Sequence, residues 1–226
     1  MFSAKSVAGL DPLYAIVDVP LCRERGLDPL ATLDAFLAGG ARLIQLRDKS
    51  PSSRDRLALA DAAVTRARSA GATLIVNDRA DIARLSGADG VHVGQEDLPV
   101  EDVRALLGPD AIVGISTHDE AQVDRAQRTA ATYLAVGPIY GTHTKDTGYT
   151  ARGLALVRYA AAGPMPVVAI GGITIERAPE VLAAGAAAVA VISDLLRGEP
   201  AQTVREFLAC IRARRERLEG TARGNG

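Results

Sequence analysis

The sequence predicts a single-domain (β/α)8 barrel, the TIM architecture. Three observations carry this prediction. Short runs rich in Val, Ile and Leu recur along the chain, each followed by a longer amphipathic stretch. The runs are apolar almost throughout, as in parallel strands buried on both faces, rather than alternating as in a sheet with one wet face. The rhythm repeats eight times in 226 residues, which leaves room for few insertions. A doubly wound open sheet is the competing architecture. It needs fewer strands or a switch point, and no G-x-G-x-x-G follows the first run.

Taken in order, residues 1–12 form a lead-in. Strand 13–19 is apolar except for Asp18, and helix 29–38 ends at Gly39-Gly40. Glycine is the residue that most readily turns a helix end into the left-handed conformation. Strand 43–47 precedes the long helix 53–69, which Gly71 closes. Strand 73–77 and the short helix 81–85 end at Asn77-Asp78 and Gly87. Strand 90–94 runs into Gln95-Glu96-Asp97, and helix 100–107 stops at Gly108. Strand 111–116 leads through Thr117-His118 to helix 121–128. Strand 133–137 opens into a polar loop, 140–150, before helix 154–161 and Gly163. Strand 166–170 ends in Gly171-Gly172, read as opening helix 175–184, which Gly185 closes. Strand 187–192 ends at Ile192-Ser193. The last helix, 201–218, has Val204, Phe207, Leu208 and Ile211 on its buried side and the basic run RARRER on its wet face. Residues 221–226, TARGNG, are expected to be disordered. The whole of 1–226 is expected to be one domain.

Composition narrows the function classes. Net charge is −1, so neither nucleic acid nor an anionic membrane is the expected partner. Aromatic residues make up 4% and Trp is absent, which leaves no stacking platform for single-stranded nucleic acid. The apolar runs are strand length, and the N-terminus has no signal-peptide pattern. Cys22 and Cys210 form no disulfide framework or metal spacing, and both are expected to be reduced thiols in a cytoplasmic protein. Assembly into a homo-oligomer stays open. Of 26 basic residues, three are lysines: Lys5, Lys49 and Lys145. A lysine kept in an arginine-rich chain hints at a need for a compact ammonium.

Active sites of such barrels form at the C-terminal ends of the strands. Gln45, Arg47 and Lys49 alternate at the end of the second strand and share an orientation as far as that strand extends. Asn77-Asp78 end the third, Asp97 follows the fourth, and Ser116 and His118 end the fifth. Gly171-Gly172 after the seventh strand and Ser193 after the eighth point to a phosphate, held by backbone N–H groups. A tight turn is the plainer reading of the glycine pair. Arg47 and Lys49 beside Asp78 and Asp97 suggest a second anion with a metal between it and the acids. Two carboxylates suit Mg²⁺, which takes few protein oxygens. A plain Arg/Lys–Asp salt-bridge cluster is the other reading. In the 140–150 loop, flanked by Gly141 and Gly148 as hinges, Thr142, Thr144 and Lys145 suit closure over an anion; an ordinary exposed loop is the other reading. His92 reads as a hydrogen-bonded barrel residue and His143 as solvent-facing. His118 is either a helix N-terminal residue or a site residue.

The ordered motifs QLRDK, VND, GVHVGQED, GIS-TH, GPIYGTHTK, AIGGI and VIS resemble those of thiamine phosphate synthase, over roughly residues 13–194. The resemblance implies condensation of hydroxymethylpyrimidine diphosphate with thiazole phosphate, with release of pyrophosphate. It implies that Gln45, Arg47, Lys49, Asn77, Ser116 and Lys145 hold the pyrimidine diphosphate, with Arg47, Ser116 and Lys145 as the catalytic set. It places Mg²⁺ on Asp78 and Asp97, and the thiazole phosphate on Thr142, Thr144, Gly172, Ile192 and Ser193. The implied mechanism is dissociative, with no protein nucleophile. Two positions depart from the family pattern: the first strand ends VDVPLC, which leaves Asp18 without an assigned role, and Asp146 follows Lys145. A thiazole tautomerase using His118 for proton transfer, a sugar-phosphate isomerase or aldolase, and a catalytically silent ligand-binding barrel are the alternatives. An aldolase wants a buried lysine, whereas Lys49 and Lys145 stand at a strand end and in a loop.

Overall fold

In the computed structural model, residues 11–141 and 148–223 are described, with side chains to residue 213. The strands are β1 (Leu13–Asp18), β2 (Leu43–Arg47), β3 (Thr73–Asn77), β4 (Gly90–Val93), β5 (Ile112–Thr117), β6 (Tyr133–Val136), β7 (Val167–Ile170) and β8 (Ala188–Val191). All pair in parallel with their sequence neighbours, and β8 pairs back to β1 through Leu13↔Val189 and Tyr14↔Ala190. The sheet is therefore a closed barrel, with no edge strand left to cover.

The helices are α1 (Val19–Glu24), α2 (Pro29–Gly39), α3 (Ser53–Ser69), α4 (Ala80–Ser86), α5 (Val100–Leu107), α6 (Glu120–Ala126), α7 (Gly153–Ala161), α8 (Ala178–Ala183) and α9 (Pro200–Arg223). Polar side chains start many of them. Asp28 accepts the Ala31 N–H at 2.8 Å and Ser52 accepts the Asp55 N–H at 3.2 Å, each satisfying one of the unpaired donors of a first helical turn. Among the described residues no helix is long and apolar enough to cross a membrane.

Side chains along each strand alternate between two layers. Tyr14, Ile16, Leu43, Ile75, Tyr133 and Ala190 fill the barrel interior. Leu13, Val17, Ile44, Leu74, Val91 and Val189 point outward and pack beneath the helices. The interior layer is the floor on which the site stands.

Three local expectations are corrected. β1 stops at Asp18, and residues 19–24 turn into α1, because the Asp18 carboxylate accepts the Leu21 N–H at 3.0 Å and Pro20 suits a first turn. The helix expected over 175–184 is confined to α8 (Ala178–Ala183), so Gly171-Gly172 opens a turn and not a helix. Residues 221–223 continue α9 where an irregular tail was expected; residues 224–226 lie outside the described part. A 3-10 turn at Ser193–Leu196, which the sequence pattern does not predict, follows β8.

Candidate active site

A cavity of about 390 Å³ opens at the C-terminal end of the barrel. Seven of the residues assigned to a substrate line it: Gln45, Arg47, Asn77, Ser116, Gly172, Ile192 and Ser193. Lys49, Asp78 and Asp97 lie outside its wall, beyond the ends of β2, β3 and β4. The shared orientation of Gln45 and Arg47 holds, while Lys49 follows the end of β2 and does not line the cavity. Thr142, Thr144 and Lys145, together with His143 and Asp146, fall outside the described residues.

The β1–β3 side of the cavity is built for an electron-rich ligand. Arg47 sends one guanidinium nitrogen to the Asp18 carboxylate at 2.5 Å. Asp18 is 2% exposed, and its other oxygen caps α1. The carboxylate is thereby fixed at both oxygens and in turn orients Arg47. The Arg47 Nε and the Asn77 Nδ2 are buried and have no hydrogen-bond partner among the described residues. Buried donors are nearly always satisfied. Two orphaned ones on adjacent strands at a cavity wall therefore point to acceptor atoms of a ligand.

A polar chain crosses the floor. Gln45 Nε2 donates to the Tyr14 hydroxyl at 3.0 Å, and Tyr14 and Tyr133 hydroxyls are 3.0 Å apart. His92 Nδ1 lies 3.0 Å from the Tyr133 hydroxyl and His92 Nε2 lies 2.8 Å from Ser116 Oγ. With the Gln45 amide as donor, one order that satisfies every group runs from Tyr14 to Tyr133, from Tyr133 to His92 Nδ1, and from His92 Nε2–H to Ser116. In that order Ser116 keeps its own proton for a ligand. Burial drives the Tyr14 and Tyr133 phenols well above their ordinary pKa, so both stay protonated donors. His92 is thus the hydrogen-bonded barrel residue the sequence predicts, and it also touches the cavity.

Just outside lies an acidic pair. Asp78 has a positive φ of 62°, which Asp tolerates better than most residues, and its N–H bonds the His92 carbonyl at 2.7 Å. Lys49 Nζ pairs with the Asp78 carboxylate. Asp97 accepts the Gly94 N–H at 2.7 Å. Desolvation, and then the charge and hydrogen bond of Asp78, raise the Asp97 carboxyl above its usual range, against the pull of Gly94 and Lys49. Two facing carboxyls, one of them disfavoured as an anion, fit a divalent cation that would relieve the repulsion. Among the described residues no group of three or more His, Cys, Asp or Glu side chains converges. A cation held there would have these two carboxylates as its protein ligands and would need ligand and water to complete its shell.

On the opposite side, Gly171 and Gly172 have φ of 105° and 61°, a conformation in which a side chain is strained. A Cβ at Gly172 would also lie 2.6 Å from the Gly141 carbonyl oxygen. The pair is a tight turn that brings backbone against the cavity. His118 lines the cavity as well; its Nδ1 is 2.6 Å from the Gly137 carbonyl and its ring stacks on Tyr149 at 4.1 Å. Sequence reasoning did not assign Tyr14, Tyr133, Asp18 or Arg177. The first two were legible as phenols inside apolar strands, and Asp18 as a carboxylate at a strand end.

Residues 13–195 match the family model described as thiamine monophosphate synthase. The chain is 41% identical to the thiamine-phosphate synthase of Roseiflexus castenholzii over 92% of this chain and 91% of that one. It is 48% identical to the thiamine-phosphate synthase of Mycobacterium marinum, covering 88% of this chain and 96% of the relative. Among solved structures it superimposes on a thiamine phosphate pyrophosphorylase from Pyrococcus furiosus with a TM-score of 0.80 and 30% identity, over 89% and 96% of the two chains.

Proposed function

The chain belongs to the thiamine monophosphate synthase family, and from that premise we propose that it joins hydroxymethylpyrimidine diphosphate to thiazole phosphate in the cytoplasm, releasing pyrophosphate. The observation that carries the reading is the pair of orphaned buried donors, Arg47 Nε and Asn77 Nδ2, at the cavity wall. They match the bridging and ring acceptors of a pyrimidine diphosphate, and nothing in the described protein uses them.

The reaction breaks the C–O bond between the pyrimidine methylene and the diphosphate. The electron pair leaves with pyrophosphate. The pyrimidinyl methylene cation, spread into its ring by the amino group, is captured by the thiazole nitrogen lone pair, which forms the new C–N bond. No protein nucleophile is required. Gln45, Asn77 and Ser116 align the pyrimidine from the cavity wall, and Arg47 faces the charge that grows on the leaving group. Lys49 stands beside the acidic pair and neutralises part of the diphosphate. Lys145 is assigned the same electrostatic role from its motif, and Thr142 and Thr144 the thiazole phosphate, although all three lie outside the described residues. Asp78 and Asp97 would hold Mg²⁺, which when bound supplies charge neutralisation for the diphosphate. Gly172, Ile192 and Ser193 form the thiazole phosphate end.

The test mixes both precursors with Mg²⁺ and the purified protein. Thiamine phosphate and pyrophosphate are expected in equal amounts. Pyrophosphate without thiamine phosphate, or neither product, would overturn the reading.

A further inference from the structure

We infer that Arg177 is a phosphate-recognising residue of the thiazole end of the cavity, a role that rests on the function proposed above. Arg177 lines the cavity together with Gly172, Thr174, Ser193 and Asp194. Its guanidinium is held from two directions. One nitrogen donates to the Gly172 carbonyl at 2.8 Å, and the guanidinium carbon lies over the Tyr140 ring, 4.4 Å from its centroid. Tyr140 is itself tied down, because its hydroxyl donates to Glu180. The platform therefore fixes a planar cation at the mouth instead of leaving it to sweep through solvent.

The charge balance at this end makes the cation matter. The turn at Gly171-Gly172 and the start of the Ser193–Leu196 3-10 turn offer neutral backbone donors. Asp194 brings a negative charge, with one of its oxygens on the Ile175 N–H at 3.1 Å. A phosphate dianion entering here would meet a carboxylate and dipoles. Among the described residues that line the cavity the arginines are Arg47 and Arg177, and Arg47 is committed to Asp18 on the other side. One guanidinium nitrogen of Arg177 is engaged in a hydrogen bond, to Gly172, while Glu176 feels its charge from the adjacent position. A phosphate set between Gly172 and Ser193 would meet the guanidinium in the forked geometry arginine offers to phosphate oxygens. The Gly172 contact then has a second use: the same guanidinium braces the turn whose backbone faces the phosphate.

The test is Arg177→Gln, which keeps a polar side chain but is shorter and removes the charge. The side chain is exposed, so the barrel is expected to fold normally. The KM for thiazole phosphate should rise roughly ten- to a hundredfold, the range for losing a charged hydrogen bond. The KM for pyrimidine diphosphate should stay within twofold. Arg177→Lys should recover part of the loss. In parallel, calorimetric titration of the free protein with inorganic phosphate should show binding to wild type, weakened at least tenfold in Arg177→Gln. Unchanged KM for thiazole phosphate, or equal rises for both substrates, would reduce Arg177 to a brace for the turn and overturn the inference. The titration needs no turnover. A wild-type protein that makes no thiamine phosphate but binds phosphate through Arg177 would overturn the proposed reaction alone, whereas equal phosphate binding by both proteins would overturn the inference alone.

Discussion

At the scale of single residues, the site sets charges against one another and leaves part of the balance to the ligand. Asp97 shows this most clearly. Its folded-state pKa is raised, first by desolvation and then by Asp78. A carboxyl with a raised folded pKa subtracts from stability at every pH above that value. The subtraction fades as the pH falls through the folded value and is gone below the unfolded one, so this residue makes the ligand-free protein slightly more stable as the medium is acidified across that window. Asp97→Asn removes the penalty and keeps an oxygen that can accept the Gly94 N–H. The ligand-free variant is therefore expected to melt no lower than wild type at neutral pH, while the stabilisation produced by Mg²⁺ with pyrophosphate disappears. Thermal melts with and without those ligands check both halves; a ligand-free melting point several degrees below wild type would mean the carboxylate is structural. Gln45, Arg47, Asn77 and Ser116 were legible because a strand end in a barrel faces the site and alternation says which side chains do. The Asp18–Arg47 contact was not, since it joins residues 29 apart in sequence on different strands. Arg177 was hidden for another reason: it sits where a helix was expected, and only the turn that replaces that helix's start carries it to the cavity.

At the scale of elements, the runs over 43–47 and 73–77 and the helices over 53–69 and 100–107 coincide with β2, β3, α3 and α5. Continuous apolar strands and a clear helical stripe leave little room for another placement. The shorter pieces were less legible. The stretch 19–24 carries no helical stripe of its own, and α1 forms there because Asp18 caps it and Pro20 suits its first turn. Elements also constrain each other across the barrel, and β5 is an instance. A Cβ on Gly114 would fall 2.2 Å from the Tyr133 ring and 2.5 Å from His92 Nδ1. The missing side chain is what lets β4 and β6 bring His92 and Tyr133 into stacked contact at 5.6 Å between ring centroids. Gly114→Ala should push the two rings apart, at a cost of about 1–3 kcal/mol in stability for overpacking a filled interior. It should also unseat the hydrogen bond from His92 to Ser116. The expected kinetic result is a higher KM for pyrimidine diphosphate with the KM for thiazole phosphate within twofold. A stable variant with unchanged kinetics would mean the polar floor does not position the pyrimidine.

At the scale of the whole molecule, the barrel is sealed twice: once by the β8–β1 ladder, and again by α9, whose most extensive helix contact is with α2. Val204, Phe207, Leu208 and Ile211 of α9 are buried, as the helical stripe in the sequence predicts. The last helix thus closes over the first part of the chain, a contact that spans nearly the full length of the molecule. The two helices meet at Gly39, where a Cβ would lie 2.6 Å from the Ala201 carbonyl oxygen and 2.7 Å from the Val204 Cβ. Two effects oppose each other in Gly39→Ala. Alanine favours helix over glycine by up to about 1 kcal/mol. The clash meets backbone as well as a β-branched side chain, neither of which can swing aside, and overpacking of this kind costs about 1–3 kcal/mol. The clash should win, by about 1–2 kcal/mol, which in a chain of this size lowers the melting temperature by roughly 2 to 8 °C. Neither Ala201 nor Val204 lines the cavity. The KM values for both substrates at 25 °C should therefore match wild type while the melting temperature falls. A variant that melts as wild type would show that α9 yields freely and does not lock the barrel shut; altered KM values with an unchanged melting point would show that this seam is coupled to the site.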